Sequence, residues 1–109
     1  MAGELKHGPI ALIEKDTVVI ALATQPSVAQ KTISNILETV ARGAKVILIA
    51  SQSQNTEGFE YVIRIPDVDP LLSCIPATVL LQELAYYVAK EKGCDVDKPR
   101  NLAKSVTVE

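Results

Sequence analysis

Lysine is a weak nucleophile in water, because its amine stays protonated up to a pKa of about 10.4. It attacks a carbonyl near neutrality only where its surroundings disfavour the ammonium form. Lys104 is the residue of this chain best set for that chemistry. It stands in the closing segment Asp95-Val-Asp-Lys-Pro-Arg-Asn-Leu-Ala-Lys-Ser-Val-Thr-Val-Glu109, with Leu102, Ala103, Val106 and Val108 around it. A fraying terminus is usually polar and poor in β-branched residues, and this one is neither. Such a tail is expected to fold back over a pocket. Taken alone, Lys104 is either a solvated lysine or a nucleophile under a lid. His7 is the only imidazole. Histidine has an ordinary pKa of about 6.5, which suits proton transfer at physiological pH. Flanked by Lys6 and Gly8, it reads equally as a side chain satisfied within a turn. Cys74 and Cys94 lack metal-ligand spacing and read as two reduced thiols of a cytoplasmic protein. No metal or other cofactor is expected.

These residues lie at the two ends of the chain, so the elements between must position them. Thr17-Val-Val-Ile-Ala-Leu-Ala23 is a continuous apolar run of strand length, and residues 1–9 before it read as loop, followed by a short helical turn through Ile13. Ser27-Val-Ala-Gln30 has the form of a capping box. The helix it opens places Ile33, Ile36, Leu37 and Val40 at helical spacing and stops at Arg42-Gly43. Lys45–Ala50 is a second buried strand, residues 51–58 a polar loop, and Tyr61–Ile65 a third strand closed by Pro66. After a turn near Asp69-Pro70, a long helix runs from about Ile75 to Lys92. Pro76 fits its first turn. Strand, helix and strand make a βαβ unit, which implies a right-handed crossover and a parallel sheet. The Thr17–Ala23 strand is apolar on both faces, as a central strand would be. Edge strands are normally short, charged or interrupted by proline. More sheet is therefore expected beside it.

At 109 residues the chain is one domain or part of one. Hydrophobic residues make up 48% and aromatics only 4%, so the apolar content is mostly aliphatic and suits buried parallel strands. The net charge of −2 and the scattered Lys and Arg carry no nucleic-acid signature. No uninterrupted apolar run reaches the roughly 18 residues of a membrane span, and no signal-peptide layout opens the chain.

Two segments together carry a resemblance. The opening Ala2-Gly3-Glu4-Leu5-Lys6-His7-Gly8-Pro9 and the closing Asp97-Lys-Pro-Arg-Asn-Leu-Ala-Lys-Ser-Val-Thr-Val-Glu109 resemble the end of the glutamine–fructose-6-phosphate aminotransferase (isomerizing) family, the glucosamine-6-phosphate synthases. The closing motif is highly specific, and the resemblance covers essentially the whole chain. It implies a sugar-isomerase (SIS) fold: a flavodoxin-like parallel sheet, five-stranded when whole, with helices on both faces. Three of those strands are present here. It also implies an arrangement of one glutaminase domain followed by two SIS domains. Residues 1–94 then look like the second SIS domain without its first two strands, and residues 95–109 like the tail that closes the active site. In the family the lysine matching Lys104 forms a Schiff base with open-chain fructose 6-phosphate. The histidine matching His7 opens the sugar ring and reaches the neighbouring subunit of a dimer. Glu4 and Lys6 orient His7, contact substrate, or form a surface ion pair. Ala103 offers backbone contact, and Arg100 anchors the tail or meets a carboxylate.

Ser51-Gln-Ser-Gln-Asn-Thr56 is similar to the Ser-Gln-Ser-Gly-Glu-Thr loop that binds the sugar phosphate in this family. That loop leads straight into a helix. Here the segment leads into a strand, so it reads as an ordinary polar loop. The phosphate loop, the glutaminase cysteine and the glutamate that moves a proton between C1 and C2 all have no match in this sequence. The isolated chain is therefore expected to be inactive. Two functions follow: the carboxy-terminal part of the isomerase region, acting on fructose 6-phosphate to give glucosamine 6-phosphate, or a non-catalytic SIS module that binds a sugar phosphate or a partner. The expected assembly is a homodimer or an association with the missing SIS portions, with no nucleic acid and no membrane.

Overall fold

A computed structural model describes residues 2–98. Residues 2–77 form one compact unit, and residues 78–98 belong to a second. The first unit holds a three-stranded parallel sheet in the order β1 (Val18–Ala23), β2 (Lys45–Ser51), β3 (Tyr61–Ile65). Helix α1 (Pro26–Ala41) connects β1 to β2. The three aliphatic runs form strands for the expected reason. β2 has a neighbour on each side, and six of its seven residues are buried or half-buried, as an inner parallel strand requires.

Register sorts the side chains into two faces. Val19 aligns with Val46, Ala21 with Leu48, and Ala23 with Ala50. These six face α1 and pack with its Ala29, Ile33 and Ile36 into the main core. The opposite face carries Val18, Ile20 and Leu22 of β1, Ile49 of β2 and Ile65 of β3. Ile49 and Ile65 are fully buried, while Val18, Ile20 and Leu22 are 63%, 44% and 42% exposed. Burying one such aliphatic side chain is worth about 1.5–3 kcal/mol. The β2 side of this face therefore realises that gain, and the β1 side forgoes much of it.

The capping box does not form. Pro26 occupies the first turn of α1, where its fixed φ and missing N–H are tolerated, and this places Ser27 inside the helix. The cap falls on Gln25, which makes no side-chain capping bond. Its Nε2 instead donates to the Pro70 carbonyl at 2.8 Å and to Ser73 Oγ at 3.2 Å. The other end is as expected. Gly43 N–H donates to the Val40 carbonyl and Ala44 N–H to the Thr39 carbonyl, the paired bonds of a Schellman stop. Gly43 has φ +89, and a Cβ there would meet Lys15 Cα at 3.3 Å.

The opening residues are not loop. Ala2–His7 and Pro9–Leu12 are short 3-10 helices, called here the opening turn and the second turn. Gly3 and Gly8 disguised the first, while the second is the short helical turn expected through Ile13. A third 3-10 turn, Pro70–Leu72, is capped by Asp69, whose carboxylate accepts from Leu71 N–H.

Helix α2 (Cys74–Glu91) begins in the first unit and continues through the second. Only Ala77 of its 18 residues is buried. Within the second unit, Tyr86 and Tyr87 meet edge to face at 5.4 Å. A Schellman stop at Gly93 ends the helix, and Asp95 then caps a turn by accepting from the Asp97 and Lys98 amides. Pro70–Glu91 is long and apolar enough, by length and composition, to cross a membrane, with a window of mean hydropathy 1.4. The expectation of no such segment rested on uninterrupted apolar runs, and an average tolerates Gln82 and Glu83. One such helix is weak grounds for a span, because core helices of soluble proteins pass the same test.

Candidate functional site

His7, Glu4 and Lys6 sit together on the opening turn. Ala103, Lys104 and Arg100 lie outside the described residues, as does most of the closing segment. The opening turn has no fully buried residue. It is seated by Ala2 and Leu5, which are partly buried against the main core. Lys6 Nζ reaches Glu38 Oε1 of α1 at 2.7 Å. His7 follows directly and is exposed. Gly8 then turns the chain with φ +149 and ψ −54, a conformation that residues bearing a Cβ rarely adopt. No atom lies within 4 Å of a Cβ built there, so the need for glycine is one of backbone conformation and not of space.

Beside the turn runs an open groove of about 750 Å³. Its floor is the free edge of β1, from Val19 to Leu22. Ala2, Gly3, Glu4, Leu5 and Pro9 form one bank, and Val28, Lys31, Thr32, Asn35 and Ile36 of α1 form the other. Glu4 and Lys31 are its charged members. The groove is the size of a small-molecule site. Its floor, however, is strand backbone with unused ladder groups.

The Ser51–Thr56 segment has the wrong polarity for a phosphate. Its carbonyls converge on a cation: Arg64 Nη1 donates to Ser51 O at 2.8 Å and Gln54 O at 2.7 Å, and more weakly to Gln52 O. Arg64 Nη2 donates to Thr56 Oγ1 at 2.6 Å. The Ser53 amide and hydroxyl, the donors a phosphate would need, both point to Asp67 Oδ1. The loop runs from β2 to β3 with no helix at its end. Ser51 Oγ, at the mouth of this loop, is buried and has no hydrogen-bond partner among the described residues. At the opposite end of the sheet, Asp16 accepts from Lys45 Nζ at 2.9 Å, and this hydrogen bond holds the Lys45 ammonium above its ordinary value. Cys74 and Cys94 are exposed, and no disulfide joins them.

Sequence reasoning did not find Glu38, Gln25 or Arg64. Each works through a partner distant in the chain, and no local spacing signals that.

A parallel α/β unit with short connections, one strand edge left open and a histidine-bearing turn beside it is the class of protein defined so far. The particular family follows from comparison: the chain belongs to the SIS domain family, whose model matches residues 1–88. Over 98% of its length the chain is 57% identical to a glutamine–fructose-6-phosphate aminotransferase (isomerizing) of Clostridium acetobutylicum. A protein of the same name from Clostridium tetani is 60% identical over 99% of the chain. The chain spans only 18% of the length of either relative. A solved structure, the C-terminal domain of glucosamine-fructose-6-phosphate aminotransferase from Francisella tularensis, superposes with a TM-score of 0.78 at 35% identity. That match covers 87% of this chain and 28% of the other.

Proposed function

We propose that this chain is the carboxy-terminal part of the isomerase region of an enzyme that makes glucosamine 6-phosphate from fructose 6-phosphate and glutamine, a step of amino-sugar biosynthesis in the cytoplasm. The observation that carries the proposal is the 57–60% identity, across nearly the whole chain, to proteins named for that reaction. Residues 1–94 supply the later strands of an SIS sheet, and residues 95–109 the tail that closes the site. The open edge of β1 and its groove take the earlier strands of the same sheet. The working assembly is a dimer in which His7 serves the neighbouring subunit.

In this reading His7 moves the proton that opens the sugar ring. The neutral amine of Lys104 then adds to the C2 ketone, and water leaves as the imine forms. Protonated, that imine withdraws electrons from C1 and makes its proton acidic. Glu4 and the Ala103 backbone flank the substrate, and Lys6 orients the histidine turn. No metal or other cofactor enters these steps.

The isolated chain lacks a phosphate-binding loop and is expected to convert no fructose 6-phosphate. The test is a chimera in which the chain replaces the matching segment of the Clostridium acetobutylicum relative. Borohydride with fructose 6-phosphate should label the chimera at Lys104, and Lys104→Ala should abolish the label. Labelling that survives Lys104→Ala removes the assignment, and turnover by the isolated chain removes the claim that it is incomplete.

A further inference from the structure

We propose that Glu38 is a positioning residue: through Lys6 it fixes the turn that carries His7. The inference rests on the reading of His7 as the ring-opening residue and names what holds that residue in place.

The opening turn is poorly held by its own bonds. A 3-10 helix of six residues has weak hydrogen-bond geometry and eclipsed side chains. Its hydrophobic seat, Ala2 and Leu5, ends two residues before His7. His7 itself, at the end of the turn, is exposed. Beyond that seat, the Lys6–Glu38 ion pair at 2.7 Å ties the turn to α1 one residue before the imidazole. One residue after it comes the glycine-dependent corner at Gly8. The His7 backbone is thus bracketed by an ion pair and a fixed corner.

Glu38 is well placed to serve as the fixed partner. It lies between Ile36 and Thr39, both buried, on the stretch of α1 that packs into the main core. Thr39 Oγ1 donates to the Ile36 carbonyl at 2.7 Å, which ties the same turn of helix internally. The carboxylate therefore extends from a rigid element toward a weakly held one. Both partners are partly exposed, 58% for Lys6 and 39% for Glu38. Exposed pairs contribute little to stability. A pair of this kind can nonetheless matter for catalysis, because small misplacement of a reacting group is costly in rate.

Two measurements test this. In the chimera, Glu38→Gln should lower kcat by roughly tenfold with KM unchanged, since only placement in the transition state is lost. Lys6→Met should give the same loss, and the double variant no more than either alone. Glu38→Asp should recover part of the rate. In the chain itself the single histidine gives one set of imidazole NMR signals. Glu38→Gln should shift and broaden them, with the melting temperature unchanged. If His7→Asn is inactive while Glu38→Gln turns over like the parent, the positioning role is overturned and the His7 reading stands. If His7→Asn is fully active, the His7 reading itself fails. Imidazole signals indifferent to Glu38→Gln overturn the proposal even where the chimera does not fold.

Discussion

The two edges of the sheet are built on opposite plans. β3 has five residues, carries Arg64, and is closed by Pro66. Its arginine spends four hydrogen bonds on the neighbouring loop. Charge and proline are how proteins blunt a true edge. β1 has six residues, none charged, with three aliphatic side chains exposed on one face and a groove along its free side. The difference teaches that β1 has the composition of an inner strand. Another strand is the natural neighbour of such an edge, and a second copy of the chain can supply one.

The largest expected effect follows from that reading. The isolated chain should self-associate, and Ile20→Lys should weaken the association by about tenfold or more, because a buried aliphatic side chain is worth about 1.5–3 kcal/mol. Removing the exposed Tyr61 ring from β3 should leave the association unchanged. Light scattering across a dilution series decides this. A parent chain that stays monomeric breaks the contrast between the edges.

The next effect tests the β3 side. Arg64→Met keeps the aliphatic stem and removes the charge-assisted bonds to the Ser51–Thr56 loop. The cost should be about 1–3 kcal/mol, the usual range for losing such bonds. Amide exchange should quicken in the loop and stay slow in β2. Should the loop keep its protection, Arg64 is not what closes that edge.

Much of the fold was legible from residue order, and the reason is the aliphatic content of the strands. Val18–Ala23, Lys45–Ser51 and Tyr61–Ile65 each fall within a residue of the expected bounds, because each is a short, mostly aliphatic run bounded by polar or turn residues. The exposed strand edge was equally legible, since β1 has no device of an edge strand. Polar partnerships were not. Ser27-Val-Ala-Gln30 has the pattern of a capping box, yet Pro26 had already claimed the first turn, so that local pattern lost to backbone constraint. The clamp on Ser51–Thr56 joins residues across two strands, and the Lys6–Glu38 pair joins the opening turn to α1. Such contacts exist only once the sheet has aligned its neighbours. Of the candidate site, His7 and Lys104 could be proposed from their motifs, whereas Glu38, which pairs with Lys6, could not.

The smallest effect lies at the amino end of the sheet, where Lys45 opens β2 between the two edges. Its ammonium is held above the ordinary 10.5, first by the hydrogen bond from Lys45 to Asp16 and then by the charge of that carboxylate. The sign is set by proton binding. Above 10.5 the folded chain keeps this proton more firmly than the unfolded chain does, so stability falls as pH rises. The contribution is complete below 10.5 and disappears as pH passes the folded value. Tyr61, raised above 10.0 by its hydrogen bond with Glu60, acts in the same direction. Both groups are exposed, so salt screens the effect and its size is small. Lys45→Met should be slightly less stable than the parent near neutrality and should converge with it as the pH climbs past 10.5. Denaturant titrations of the two chains at low and high salt measure that difference. A gap that persists at high pH assigns the Lys45 contribution to its packing along β2 and not to the Asp16 pair.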